Sequence, residues 1–201
     1  RGKHRRFLSN PVQPNICVLE NIRFQTQELD EYMTAVGRDL FTLPLRTTLT
    51  QFEEADNFGS LIQPALQDVE GTLEVLQSKD LSGNLFLKAT HDQVLKLLRQ
   101  ADYLRQKYHV VVANPPYMGS KGMNGKLSDY AKKEYPDSKT DLFAIFIERG
   151  FQLIFKLGYS AMVTMQSWMF LSSYEKLRGK LLSNSSVVSM AHMDNMVMGI
   201  A

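Results

Sequence analysis

Apolar residues recur along this chain in two rhythms. From Thr90 to Gln106 the apolar positions Val94, Leu95, Leu97, Leu98, Ala101 and Leu104 return at helical intervals, with Lys96, Arg99, Arg105 and Lys107 mostly between them. This spacing predicts a helix that feeds into a run of β-branched residues, Val110 to Val112, predicted as a buried strand. Further helices are predicted where Thr26 caps Leu29, Tyr32, Met33 and Val36 before Gly37, from Leu40 to Phe52 around Pro44, and from Val69 to Leu76. Ser138 and Asp141 have capping-box spacing ahead of Leu142 to Phe155, a stretch apolar on almost every side that Gly158 ends. Tyr174 to Leu182 predicts another helix. Short apolar runs predict strands at Ile16 to Leu19, Asn57 to Ile62, Ala161 to Thr164 and Val187 to Ala191. Strands alternating with helices imply parallel pairing, hence an α/β fold: a mostly parallel sheet with flanking helices.

The strand at Val110 to Val112 ends abruptly at Asn114, Pro115, Pro116 and Tyr117. A proline confines the residue before it to extended angles, and two consecutive prolines lack N–H groups and fix φ, so the ladder stops at a stiff turn. In open α/β sheets ligands bind beyond the carboxyl ends of strands, where this tip is expected to lie. The Asn114 side-chain oxygen and the Pro115 carbonyl are two acceptors that suit the two N–H donors of an exocyclic amine on a planar ring. Accepting both bonds leaves electron density on the amine nitrogen, and Tyr117 could stack on the ring. Such a ligand, if a base, must be flipped out of a duplex or be single-stranded. The residues alone equally admit a Pro-Pro turn whose asparagine bonds its own backbone and whose tyrosine packs as core.

Composition narrows the classes. Net charge is +2, so it does not announce a nucleic-acid binder, and the basic cluster Arg1, Lys3, Arg5 and Arg6 reads as a solvated terminus. One cysteine, Cys17, and four dispersed histidines offer neither a disulfide framework nor a zinc site, so no metal is expected. With no apolar run long enough for a membrane span and no signal-peptide segment at the basic start, a cytoplasmic protein without membrane association is expected. The chain opens without a methionine and stops at Ala201 just after an apolar strand pattern, which leads us to expect a piece of a longer protein.

The connection after Tyr117, about twenty residues rich in glycine and lysine, is long for a compact domain. Gly119, Gly122, Gly125 and Lys126 do not make a phosphate loop, since Leu127 stands where Ser or Thr is required. A flap whose Lys121, Lys126, Lys132 and Lys133 meet nucleic-acid phosphates stands beside a plain solvated loop. Trp168 is expected to pack beneath the site or stack on a flanking base, and Gln166 to cap the strand end or bond a base or phosphate.

The segments VVANPPYMGSKGMN (residues 111–124), TDLFAIFIERG (140–150) and AMVTMQSWMFLSSY (161–174) resemble the adenine-specific methyltransferases of BREX phage-defence systems, the PglX family. QPNICVLEN and FEEADNFGSLI upstream are also similar to that family. The resemblance implies a partial Rossmann-like methyltransferase fold over residues 1–201, containing the NPPY region and following strands. It implies that Asn114, Pro115, Pro116 and Tyr117 hold a flipped adenine of double-stranded DNA, that S-adenosylmethionine is the methyl donor, and that Gly59, Ser60 and Leu61 lie at a strand end near the cofactor's adenine. BREX defence proteins are the implied partners. The family's glycine-rich cofactor motif and target-recognition domain are not matched in these residues, so the chain alone is expected to be inactive. Transfer to RNA or to a protein glutamine, and a non-catalytic nucleic-acid-binding or defence-complex module, are the alternative functions.

Overall fold

The computed structural model describes residues 13–37, 43–81 and 83–193 of the chain. The chain divides into two compact units, Arg1–Arg105 and Gln106–Ala201.

The first unit is helical among its described residues. It contains α1 (Thr26–Val36), α2 (Leu43–Gln51), the short α3 (Ala55–Phe58), α4 (Val69–Gln77) and the long α5 (Leu85–Arg105), with 3₁₀ turns at Phe52–Glu54 and Gly59–Leu61. Tyr32, Leu45, Leu49, Phe52, Leu97 and Leu98 form the centre of its core, which fits the apolar stripe read from the sequence. Helix α5 begins five residues before the predicted Thr90, because the Asn84 side chain accepts hydrogen bonds from the N–H groups of Phe86 and Leu87. Leu85 and Phe86 are exposed, so that first turn carries no apolar stripe. At α1 the cap is Gln25 rather than Thr26, with Glu28 reaching back to the Gln25 N–H at 3.3 Å. Glu28 also accepts from Thr90 Oγ1 at 2.6 Å, and Tyr32 Oη meets His91 Nδ1 at 2.7 Å, so polar groups stitch α1 to α5.

Two predicted strands of this unit are helical or irregular instead. Residues 16–19 form no strand: the neighbouring backbone is held by isolated bonds, Glu20 N–H to the Gln100 side chain at 2.8 Å and Ile22 N–H to the Phe52 carbonyl at 3.1 Å. Residues 57–62 wind through α3 and the 3₁₀ turn, with Gly59 at φ 55° allowing the reversal between them. A short apolar run buries equally well from turns, as Leu61 and Ile62 do, so burial there did not mean a strand. The helix predicted from Leu40 is seen from Leu43, with Pro44 in its first turn; residues 38–42 lie outside the described ones.

The second unit holds β1 (Tyr108–Ala113), α6 (Gly125–Glu134), α7 (Leu142–Leu153), β2 (Ile154–Met162), the short α8 (Ser167–Phe170) and α9 (Glu175–Asn184). The two strands are parallel, with Val110 opposite Tyr159 and Ala113 opposite Met162. This is an α/β arrangement, a two-stranded parallel sheet with flanking helices, compatible with part of a Rossmann-like methyltransferase fold. The connection after Tyr117 is not a bare loop. Asn124 caps Leu127 N–H at 2.9 Å, and Leu127, Ala131 and Tyr135, spaced by one helical turn, are buried.

Helix α7 ends at Leu153, short of the predicted Phe155, and β2 takes up the chain at Ile154 rather than Ala161. Between Tyr108↔Ile154 and Val110↔Tyr159 β2 spends more residues than β1, so 155–158 bulge out, with exposed Leu157 at φ 69°. Gly150 lets α7 press on the sheet, because a Cβ there would strike the side chains of Met162 and Ser160. The predicted burial of β1 is not met among the described residues: Val110 and Val112 are exposed, and Tyr108, Val111 and Ala113 are only partly covered. Residues 187–191 take no regular secondary structure and pair with no strand among the described residues, so the predicted last strand is not formed. The end of the Met-rich tail, from Asp194 on, lies outside the described residues.

The link from α6 to α7 is held by charge. Lys180 on α9 pairs with Asp137 at 2.5 Å and with Glu148 on α7 at 3.2 Å, and buried Ser138 donates to Glu148 at 2.8 Å. The hydrogen bond from Lys180 holds the Asp137 carboxyl below its usual range, and the same bond raises Lys180.

Two stability experiments follow. Burial holds the His91 imidazole below its ordinary 6.5, against a smaller upward pull from Asp92. The unfolded chain therefore takes up a proton that the folded one refuses, so stability is complete above about pH 6.5 and falls as pH drops below it. Tyr32→Phe strands the buried ring nitrogen and is expected to cost about 1–3 kcal/mol at neutral pH in denaturant melts. An unchanged midpoint would contradict it. Lys180→Met is expected to cost under about 1 kcal/mol, since the lysine is half exposed. The advantage from Asp137 is present above its unfolded value of 3.8 and is lost as pH falls through its lower folded value. Melts between pH 2 and 7 should show that acid dependence shrinking in Lys180→Met.

Candidate active site

The site begins where β1 stops. Val163 N–H donates to the Ala113 carbonyl at 3.1 Å, carrying the pairing one step past the strands and fixing the backbone just before Asn114. Pro115 is buried, while Asn114, Pro116 and Tyr117 face outward. The tip is therefore at the carboxyl end of a parallel strand, the edge where such sheets present ligand-binding groups.

Tyr117 Oη donates to Asn114 Oδ1 at 3.0 Å. That oxygen has a second lone pair and can accept another donor in the same orientation. The Tyr117 ring meets buried Phe143 edge-on, with centroids 6.4 Å apart and planes at 73°. Phe143 in turn packs on Tyr174 at 6.0 Å, so a buried aromatic base lies under a ring that keeps 46% of its surface exposed.

Beyond Tyr117 the backbone is clasped to the start of α7. Met118 N–H donates to Asp141 Oδ1 at 3.1 Å, Leu142 N–H donates to the Met118 carbonyl at 3.0 Å, and Ser120 N–H donates to the Thr140 carbonyl at 2.9 Å. Asp141 Oδ1 also caps Phe143 N–H at 3.2 Å. Burial pushes the Asp141 carboxyl above its ordinary value, opposed by the N–H donors of Phe143, Met118 and Leu142. Ser138, predicted as half of a capping box, instead bonds Glu148, and Asp141 alone caps α7.

The other candidate residues are distributed unevenly. Gln166 follows β2, and its Oε1 meets His192 Nε2 at 2.5 Å. Trp168 is half buried against the cluster of Phe143, Ala144, Ile147, Tyr174 and Leu177, with its indole N–H on Thr164 Oγ1 at 3.2 Å. Arg178, not singled out from the sequence, donates to the carbonyls of Trp168 at 2.8 Å and Leu171 at 2.7 Å and so ties down the segment after β2. Its only sequence signal is its place one turn after Tyr174 on a helix face. Lys121 and Lys126 are exposed, Lys126 in the first turn of α6; Lys132 and Lys133 pair with Asp129 and Glu134 on that helix.

Gly59, Ser60 and Leu61 belong to the first unit and form a helical turn, not a strand end. Leu61 is buried, and a Cβ added at Gly59 would meet nothing within 4 Å, so the turn forms no cradle that a side chain would fill. Among the described residues no group of three or more His, Cys, Asp or Glu could hold a metal ion, and no helix is long and apolar enough to cross a membrane.

Comparison with known proteins bears on this geometry. The chain is 48% identical over 152 residues to the adenine-specific methyltransferase BrxX of Escherichia coli O9:H4 (strain HS), a match covering 74% of this chain and 13% of that protein. It is 32% identical over 200 residues to the adenine-specific methyltransferase PglX of Lacticaseibacillus casei (strain Zhang), covering 96% of the chain and 16% of the relative. A third match, 31% over 93 residues, is to the type II restriction enzyme and methyltransferase RM.Eco57I of Escherichia coli, covering 44% of the chain and 9% of the relative. The chain thus spans less than a fifth of each of these relatives, and the likeness to PglX read from its motifs is met. The profile of the Eco57I restriction-modification methylases matches residues 28–197, which include Asn114 to Tyr117 and the start of α7, and the chain belongs to that family.

Proposed function

We propose that this chain provides the adenine-binding side of a DNA adenine-N6 methyltransferase. The observation that carries the reading is the outward-facing Asn114 at the carboxyl end of a parallel strand, its side chain oriented by the Tyr117 hydroxyl at 3.0 Å. An adenine flipped from duplex DNA would give its amine hydrogens to Asn114 Oδ1 and the Pro115 carbonyl. The half-exposed Tyr117 ring would stack on the base face, held from behind by Phe143.

Accepting both hydrogens keeps the nitrogen lone pair free to attack. Because the prolines and the clasp at Asp141 fix the acceptors beforehand, catalysis here is mainly orientation of the amine. Family membership supports S-adenosylmethionine as the methyl donor. Asn114 to Tyr117 are assigned to the acceptor side of the site. Lys121 and Lys126 are proposed to meet DNA phosphates, with Gln166 and Trp168 beside the flipped base. A role in phage defence or restriction-modification, in the cytoplasm and alongside BREX proteins, accords with the BrxX, PglX and Eco57I relatives.

Labelled methyl offered with DNA, RNA and protein to the full-length enzyme tests the reading. Label is expected on adenine in DNA; label on RNA or protein alone would refute it. Asn114→Ala is expected to slow transfer by about 10²-fold or more without loss of the folded circular-dichroism signal. Full activity in that variant would favour a non-catalytic module. Residues 1–201 alone are expected to transfer no label, and detectable transfer by them would contradict the acceptor-side assignment.

A further inference from the structure

Asp141 does more than a helix cap requires. One of its oxygens, Oδ1, accepts from Phe143 N–H at 3.2 Å inside α7 and from Met118 N–H at 3.1 Å in the turn that follows the NPPY tip. A cap needs only the first of these bonds, and a serine could make it. The second joins two parts of the chain separated by the whole of α6. It consumes the only donor of Met118, whose carbonyl is already taken by Leu142 N–H at 3.0 Å, so Met118 is bonded through both of its peptide groups. The next residue, Gly119, lies in an antiparallel bridge with Asp141, where even a Cβ would approach its Oδ2 to 3.6 Å.

Upstream of Tyr117 the prolines fix the backbone, and downstream the Asp141 side chain does. The Tyr117 side chain is held by its hydroxyl bond to Asn114 and by a T-shaped contact with Phe143 while 46% of its surface stays exposed, so its backbone anchor also bears on how the ring is presented. We propose that Asp141 is a positioning residue for methyl transfer, locking Met118 and thereby the orientation in which Tyr117 meets the base. This rests on the reading of Asn114 to Tyr117 as the adenine grip. A carboxamide has the same reach and an equivalent acceptor oxygen, so the property required is an acceptor at that position rather than a negative charge.

Three variants of the full-length enzyme test this: Asp141→Ser, which keeps the cap but is too short to reach Met118, Asp141→Asn, which keeps both bonds, and Asn114→Ala. Single-turnover methyl transfer, DNA affinity and melting temperature are measured for each. Asp141→Asn is expected within about twofold of the parent, and Asp141→Ser about tenfold slower in transfer, with DNA affinity unchanged and any fall in melting temperature small enough to leave the enzyme folded at the assay temperature. Asp141→Ser as fast as the parent, Asp141→Asn as slow as Asp141→Ser, or a loss that merely follows the folded fraction would each overturn the proposal. Full activity in Asn114→Ala would instead overturn the adenine reading beneath it. An inactive Asn114→Ala beside a fully active Asp141→Ser would remove the positioning role alone.

Discussion

The backbone clasp between Met118 to Ser120 and Thr140 to Leu142 is the constraint on which the second unit's site depends. Two consecutive prolines give a tip rigidity but strip it of N–H donors, so the tip cannot hold itself in a ladder. Its place must be set from both sides. On one side the pairing of β1 with β2, extended by Val163 to the Ala113 carbonyl, fixes the entry to Asn114. On the other the clasp ties the exit to the first turn of α7, and α7 is itself fixed by its buried apolar face and by Gly150 against the sheet. Lys180, Asp137, Glu148 and Ser138 then hold the chain that enters α7.

What could be read from the residues follows from how local each cause is. Helix α5 declared itself through Val94, Leu97, Leu98, Ala101 and Leu104, and α7 through its apolar run, because helical burial writes a period into the sequence. Their ends were harder. Leu85 and Phe86 face solvent, and the start of α5 is written instead in Asn84. Strands depend on a partner distant in sequence: Val187 to Ala191 is apolar but finds no strand partner among the described residues, while Ile154 to Met162 pairs despite a bulge that hides its start. Asn57 to Ile62 is apolar and bounded by turn residues, yet Gly59 turns it into helical segments.

The site was legible as a tetrapeptide and not as a clasp. Asn114 to Tyr117 stand out because Pro-Pro after β-branched residues can hardly continue a strand. That Asp141 reaches back to Met118 has no sequence period, since the whole of α6 intervenes between the two residues. Arg178, anchoring two carbonyls near Trp168, is silent for the same reason.

In the proposed function, the strand tip grips a flipped adenine through Asn114 and Pro115. A structure of the full-length enzyme bound to duplex DNA containing its target site tests it most directly, through the distances from adenine N6 to Asn114 Oδ1 and to the Pro115 carbonyl. Both are expected at hydrogen-bond length, roughly 2.7–3.2 Å, with the base lying on the Tyr117 ring. A target adenine still stacked in the duplex, or flipped but bonded by N6 to other groups, would contradict it.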